Sequence, residues 1–424
     1  MMKRKDVWLW GLYDFANSLG LIGVMFYFGP WLVGEHGGDD VWISIVVALS
    51  TIVMLFTLPI LGHLSDRWKR RMPFLSVLTL CCIFSLLALG FVGVTAGASW
   101  GLLTFFTVMS LYFLFQYFYQ SSLAFYDAFL HGLSSERDSV EKISGFGMAM
   151  GSFGGVVGLV VLIPIAQGKF PLLGIVSGRP GTFIVAATLF FLAVLPVLLF
   201  LHEEQRPIPL SEEGEMKTVR EILRDFRHLH RIPGVLPYLI TYYLFADAIL
   251  TLTLFITLYL DVVGGLTDMQ KNLALIPAAF LGIVGAAMTP FFVRMFGGLK
   301  KALAAFILLW SFFIALLAFG RSPVAFITVG MLNGFAYGTL FSLSRAFYAK
   351  LIPKDRQAEL FSVYVLFERG ASILGPLVWS GTAFAFASFG PEKYRFSMIS
   401  LALLVFISFF TLRLVKEPTE KTSE

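Results

Sequence analysis

Ionisable side chains are scarce in the apolar runs of this chain, and those that occur there are the residues with chemistry to offer: Asp14, Asp127, Asp247, Arg345, Glu368 and Arg369. A charge inside a bilayer-crossing helix costs about 2.5–3.5 kcal/mol on insertion scales, so each is expected to face a cavity or a partner. Asp14 and Asn17 stand three residues apart and share a helix face, where they could hold a polar ligand together. Asp247 is the candidate for proton or sodium coupling, and a structural ion pair with Arg369 is the competing reading. Arg345 could grip a substrate carboxylate with its planar fork of donors, or close an inner gate with Asp127. Gln116, Gln120 and Asn333 add amides to the same spans. At about 1.5 Å per residue from the cytoplasmic end, Asp247 and the Glu368-Arg369 pair lie about 15–20 Å deep, close to a bilayer midplane. No nucleophile–base pair, phosphate-binding loop or metal-ligand spacing occurs, so neither an enzyme nor an ATP-driven pump is expected, and no cofactor or metal.

The elements that must position these residues follow from composition. The chain has 424 residues, 57% of them apolar and 14% charged, against about 45–50% and about 25% in soluble domains. Segments such as 43–60, 75–101 and 302–320 approach or exceed the ~18 apolar residues that read as a membrane-crossing helix. Charged or Gly/Pro-rich punctuation divides the chain into twelve predicted helices, at 7–33, 42–64, 73–95, 100–130, 143–167, 180–201, 235–260, 271–293, 300–319, 323–351, 358–388 and 395–413. The fold class is therefore an all-α membrane protein. The adjacent Cys81 and Cys82, the only cysteines, are expected to pack.

Of the 32 Lys and Arg residues, 24 fall in the termini and the loops on their side, 6 in the opposite loops, and Arg345 and Arg369 inside spans. By the positive-inside rule both termini are cytoplasmic. The net charge of +5 is spread between spans and forms no basic face for nucleic acid. The three asparagines, Asn17, Asn272 and Asn333, lie in no glycosylation sequence, which suits a prokaryotic inner membrane. The organisation expected is an N-terminal six-helix bundle over 1–201, a cytoplasmic linker over 202–232 with a basic amphipathic helix, and a C-terminal six-helix bundle with a short tail over 233–424. A shift of 230 aligns Tyr13, Phe15, Ala16 and Asn17 with Tyr243, Phe245, Ala246 and Asp247, and a shift of 222 aligns Ser122, Ala124, Phe125 and Tyr126 with Ser344, Ala346, Phe347 and Tyr348. Two parallel repeats imply alternating access around a midplane site between the halves. The glycines of span five, Gly145, Gly147, Gly151, Gly154, Gly155 and Gly158, read as a close, sliding helix interface.

The loop Gly62-His63-Leu64-Ser65-Asp66-Arg67-Trp68-Lys69-Arg70-Arg71 resembles the signature loop of the major facilitator superfamily, with Lys69 in place of its second glycine. The resemblance implies a gating role for Asp66, with Arg67 and Arg70, against the start of span eleven near 357–360. A narrower match is carried by Tyr13-Asp14-Phe15-Ala16-Asn17-Ser18, by Ser344-Arg345-Ala346-Phe347 with Leu351-Ile352-Pro353, and by Gly375-Pro376. These are similar to the hallmarks of the vacuole-effluxer-like permeases, named for autophagy-related vacuolar permeases of fungi, whose fungal members export amino acids from the vacuole. Asp127 stands where that family is expected to carry asparagine, and Glu368-Arg369 where small or singly charged residues are expected. The function expected is a monomeric secondary transporter of a small polar solute, amino acids among the candidates, with ion-coupled export. A sugar:cation symporter and a non-transporting sensor of the same fold are the alternatives.

Overall fold

The computed structural model describes residues 4–68, 70–97, 100–133, 140–169, 177–201, 203, 232–352 and 357–416. Among them the chain is helical with no strand. It divides into two compact units, Met1–Met216 and Lys217–Glu424. The linker expected over 202–232 lies outside the described residues apart from Glu203 and Ile232.

The first unit holds α1 (Arg4–Gly29), which continues into a π-helical turn at Pro30–Glu35, then α2 (Asp40–Trp68), α3 (Met72–Thr95), α4 (Leu102–Leu133), α5 (Val140–Ala166) and α6 (Gly178–Phe200). The second holds α7 (Val235–Val262), α8 (Asp268–Ala287), a short α9 (Thr289–Phe296), α10 (Leu299–Ala318), α11 (Pro323–Leu351), α12 (Gln357–Gly370), α13 (Leu374–Ala385) and α14 (Lys393–Arg413). Eleven helical segments among the described residues are long and apolar enough to cross a membrane. The twelfth predicted span, 358–388, is α12 and α13 with a turn between them.

That break corrects the expectation of one continuous helix, and proline supplies the reason. Pro376 has no N–H, and its ring crowds the carbonyl four residues back; membrane helices can carry such a residue internally, as α8 does at Pro277, but it fits best in a first helical turn, where amides lack intrahelical partners anyway. The chain therefore stops at Gly370 and restarts at Leu374. Pro290 acts in the same way on the predicted span 271–293, which ends at Ala287 before α9 begins at Thr289.

Neighbour relations recur between the units. In the first, α1 packs on α5 and α6, α3 on α4 and α6, α2 on α4, and α5 on α6. In the second, α7 packs on α12, α13 and α14, α10 on α11 and α14, α8 on α11, and α13 on α14. This is one six-span arrangement made twice, as in the major facilitator fold.

Aromatic stacks fill both interiors. Tyr126 lies against Trp10 at 4.6 Å and Tyr13 at 4.7 Å, and Phe28 on Tyr112 at 4.0 Å. In the second unit Trp379 stacks on Phe255 at 4.9 Å and Tyr348 on Tyr364 at 4.9 Å. Large apolar side chains such as Phe84 and Leu103, 71% and 83% exposed, cover the outside, as a surface meeting lipid tails requires.

Glycine sets the closest approach of all. A Cβ on Gly338 would strike the carbonyl of Gly282, one on Gly334 that of Ala278, and one on Gly285 that of Phe335. α8 and α11 thus touch backbone to backbone. In span five only part of the expected series acts so: Gly154 meets the Phe15 carbonyl and Gly147 the Trp10 ring, while Gly155 and Gly158 have ordinary contact space.

Helix ends are closed by distant side chains. The Arg71 N–H donates to Glu203 Oε1 and Oε2 at 2.7 Å and the Met72 N–H to Oε2 at 2.9 Å, so a carboxylate beyond α6 caps α3. The Arg71 guanidinium donates to the Ala128 carbonyl at 3.0 Å. At the other ends of the helices, Arg395 donates to the carbonyls of Ala318 and Gly320 at 2.6 and 2.7 Å, closing α10. Lys271, 3% exposed, is clamped by Asp261 at 2.7 Å and Asp268 at 2.6 Å across the α7–α8 turn.

Two outcomes follow for thermal melting in detergent. Gly338→Ala forces α8 and α11 apart and is expected to cost about 1–3 kcal/mol or more, whereas Gly330→Ala, whose Cβ would meet only Ala274 Cβ at 3.9 Å, should melt with wild type. Glu203→Ala removes the α3 cap and is expected to lower stability by about 0.5–2 kcal/mol, with Glu203→Gln retaining part of it because the amide oxygen still accepts.

Candidate functional site

In the first unit the polar residues gather along α4. Gln116, Tyr119 and Gln120 occupy one face at helical spacing. Asn17 on α1, 3% exposed, donates through Nδ2 to the Tyr119 hydroxyl at 3.2 Å. Gln116 Nε2 donates to the Tyr112 hydroxyl at 2.8 Å, and Gln120 Nε2 to Thr51 Oγ1 on α2 at 3.2 Å. Asn17 Oδ1 is buried without a hydrogen-bond partner among the described residues. Asp14, half-buried one turn from Asn17, lies on α5 at Gly151, where a Cβ would come within 3.0 Å of its Cγ and Oδ2. Asn17, Gln116 and Gln120 are thus on one α4-centred stripe, with Asp14 beside it. Asp127 lies two turns further toward the C-terminal end of α4, half-buried.

In the second unit Arg345 on α11 faces Glu368 on α12, with Nη2 3.6 Å from Oε1. Their side chains are 48% and 29% exposed. At that distance the pair is electrostatic and lacks a tight hydrogen bond, so both partners keep bonding capacity in reserve. The floor beneath it is aromatic: Tyr242 and Tyr364 stack with centroids 4.2 Å apart, Ser344 Oγ is 3.3 Å from the Tyr364 hydroxyl and 2.7 Å from the Tyr238 hydroxyl, and Tyr348 donates to the Leu360 carbonyl at 2.8 Å. This network holds α7, α11 and α12 in place around the pair.

Other expected site residues lie apart from it. Asn333 turns its Nδ2 to the Val329 carbonyl of its own helix at 3.1 Å, about 18 Å along α11 from Arg345. Arg369 is half-buried beside Glu368. The Asp247–Arg369 ion pair is not formed: Asp247, fully buried, accepts the Gly375 N–H through Oδ2 at 2.7 Å. It caps α13 from α7, a favourable place for a carboxylate at a helix N-terminus. The physical reason is the break itself, which leaves amides without intrahelical partners beside Asp247.

The repeat register needs correction at the same place. Tyr13 stacks on Tyr126; in the second unit the residue that stacks on Tyr348, the counterpart of Tyr126, is Tyr238, not Tyr243. On this register Tyr242 corresponds to Asn17, and Asp247 lies about a turn and a half deeper.

Of the signature loop, Arg67 and Arg70 are exposed at the end of α2, and the Arg70 N–H closes the turn onto the Ser65 carbonyl at 3.2 Å. The Asp66 side chain and the side chains at 357–359 lie outside the described residues. Sequence reasoning missed Glu203 as the loop's anchor; an acidic residue just after span six, on the side of the basic loop, was the available signal.

The family model described as "Vacuole effluxer Atg22 like" matches residues 41–423. The MFS-type transporter YxiO of Bacillus subtilis (strain 168) is 24% identical over 436 residues, 99% of this chain and 97% of that protein. Autophagy-related protein 22-2 of Aspergillus clavatus is 22% identical over 305 residues, 65% of this chain and 48% of that protein. The crystal structure of the nucleoside transporter NupG superposes with a TM-score of 0.74 at 15% identity, covering 97% of this chain and all of that one, a likeness of fold. The chain is a multi-pass membrane transporter of the major facilitator type and belongs to the vacuole effluxer Atg22-like family.

Proposed function

We propose that this protein is a secondary transporter that moves a small zwitterionic solute, with amino acids the first class to test, by alternating access and ion-coupled export. The observation that carries the reading is the Arg345–Glu368 pair, open and 3.6 Å apart within membrane spans. Two charges left exposed in such helices are costly unless water or a solute meets them. A guanidinium fork suits a carboxylate, and Glu368 suits an ammonium. The first unit carries a polar stripe of its own in Asn17, Gln116 and Gln120, with Asp14 beside it.

Export is supported by the family's description as an effluxer. A prokaryotic cell membrane is supported by the full-length similarity to the Bacillus protein, and cytoplasmic termini by the 24 to 6 distribution of Lys and Arg. The twelve spans divide into halves at 1–201 and 233–424, and the protein works as a monomer. Asp66, Arg67, Arg70 and Asp127 serve the cytoplasmic gate.

The test is counterflow of radiolabelled amino acids into liposomes containing the purified protein. A charge-assisted hydrogen bond is worth about 1.5–3 kcal/mol, so Arg345→Gln and Glu368→Gln are each expected to lower the rate roughly 10- to 100-fold at limiting solute. Equal counterflow in wild type and both variants would remove the pair from the pathway; movement of sugars but of no amino acid would overturn the zwitterion.

A further inference from the structure

The break between α12 and α13 is met from α7 by a carboxyl group that is only half used. Asp247 is 0% exposed. Its Oδ2 accepts the Gly375 N–H at 2.7 Å, while its Oδ1 is buried with no hydrogen-bond partner among the described residues. A buried carboxylate oxygen with nothing bound to it is costly, and the neighbouring residues do not offset it. On α7 the titratable neighbour is Tyr243, one turn earlier. α11 brings Arg345 and α12 brings Glu368, which pair with each other, together with Arg369. α13 carries no charged residue, and α8 and α14 bring Lys271, clamped by two aspartates, and Lys393, Arg395 and Arg413 near helix ends. No ion pair to Asp247 occurs among the described residues.

The surroundings of the carboxyl group are tightly packed. A Cβ on Gly375 would strike Thr251 Oγ1 and come within 2.9 Å of Asp247 Oδ1. Thr251 Oγ1 donates to the Asp247 carbonyl at 2.7 Å, which leaves its lone pairs free beside the carboxyl group.

We propose that Asp247 Oδ1 is the seat of the coupling cation, a proton or a sodium ion, and that loading it changes how firmly α13 is fastened to α7. This rests on the ion-coupled reading above. The consequence for the solute site runs through α12: Glu368 is one turn before the break, and its carbonyl accepts the Ala371 N–H at 3.3 Å in the turn itself. With Asp247 ionised, the bond to Gly375 is charge-assisted. A proton on Oδ1 makes it a neutral bond of roughly half the strength, and a sodium ion at Oδ1 and Thr251 Oγ1 draws the carboxylate away from the helix. Either frees the joint that positions Glu368.

The decisive variant is Asp247→Asn, whose amide oxygen still accepts from Gly375 while the charge is gone. In liposomes, a one-unit pH gradient, or a tenfold sodium gradient, can raise solute accumulation by about tenfold per coupled ion. Wild type is expected to respond to one of the two gradients, which names the cation, and in Asp247→Asn the ratio of gradient-driven to gradient-free uptake should fall to one. A variant that answers the gradient as wild type does, or a wild type that moves solute but answers neither gradient, overturns the proposal. Melting of the detergent-solubilised protein needs no solute: wild type should shift between mildly acidic and neutral pH, or between sodium and choline chloride, and the variant should not shift under the same change. Identical shifts in the two proteins also overturn the proposal. Should the variant not fold, hydrogen exchange of the first-turn α13 amides in wild type decides, since exchange indifferent to both ions removes the switch. Wild type inert to every solute but with an Asp247-dependent melting shift would sink the transport reading and leave the cation site standing.

Discussion

In the hydrocarbon of a bilayer no water is at hand for a free amide or carbonyl, so wherever a helix stops short inside this protein another part of the chain must meet it. That constraint explains why so many long-range polar contacts here run from a side chain to a backbone. Asp247 answers the amides at the α13 start within a span, and at span ends Glu203 answers those at the α3 start and Arg395 the carbonyls at the end of α10. Each contact also fixes two elements far apart in sequence, so the need for backbone satisfaction and the need for tertiary order are met by the same few residues.

The second organising feature is the distribution of packing between glycine and aromatic residues. α8 and α11 lie backbone on backbone because Gly282, Gly285, Gly334 and Gly338 offer no side chain to separate them. The opposite device holds α7, α11 and α12, where Tyr238, Tyr242, Tyr348 and Tyr364 stack and pass hydroxyl contacts to Ser344. Apolar attraction alone does not distinguish helix from helix when the solvent is itself apolar; close approach and paired hydroxyls do.

Much of this was legible in the sequence. Length, apolar runs and loop charge were enough for the spans and the fold, because hydropathy reports directly on the bilayer as solvent. Arg345 and Glu368 stood out as charges in apolar helices, and the structure sets them together. The partner of Asp247 was not legible: sequence offered a side-chain counter-ion in Arg369, whereas the real partner is a backbone N–H exposed by Pro376, and backbone donors leave no mark on composition. The glycine interface of span five was legible in part, since Gly147 and Gly154 do bring α5 close against α1, but the matching interlock of α8 and α11 was not, because its glycines are divided between two helices and only their shared register makes the contact. The repeat offset failed for a related reason, since short runs of Tyr, Phe and Ala align at several shifts and only the stacking on Tyr348 chooses among them.

The Arg345–Glu368 pair has an electrical meaning as well. One positive and one negative group at nearly the same depth carry no net charge, and a transmembrane potential does work only on net charge displaced along it, about 2.3 kcal/mol per elementary charge per 100 mV. A conformational change that carries this pair through part of the field is therefore close to voltage-neutral, and remains so when a zwitterion joins it. Any dependence of turnover on membrane voltage must then enter through a group whose charge is not matched on the spot.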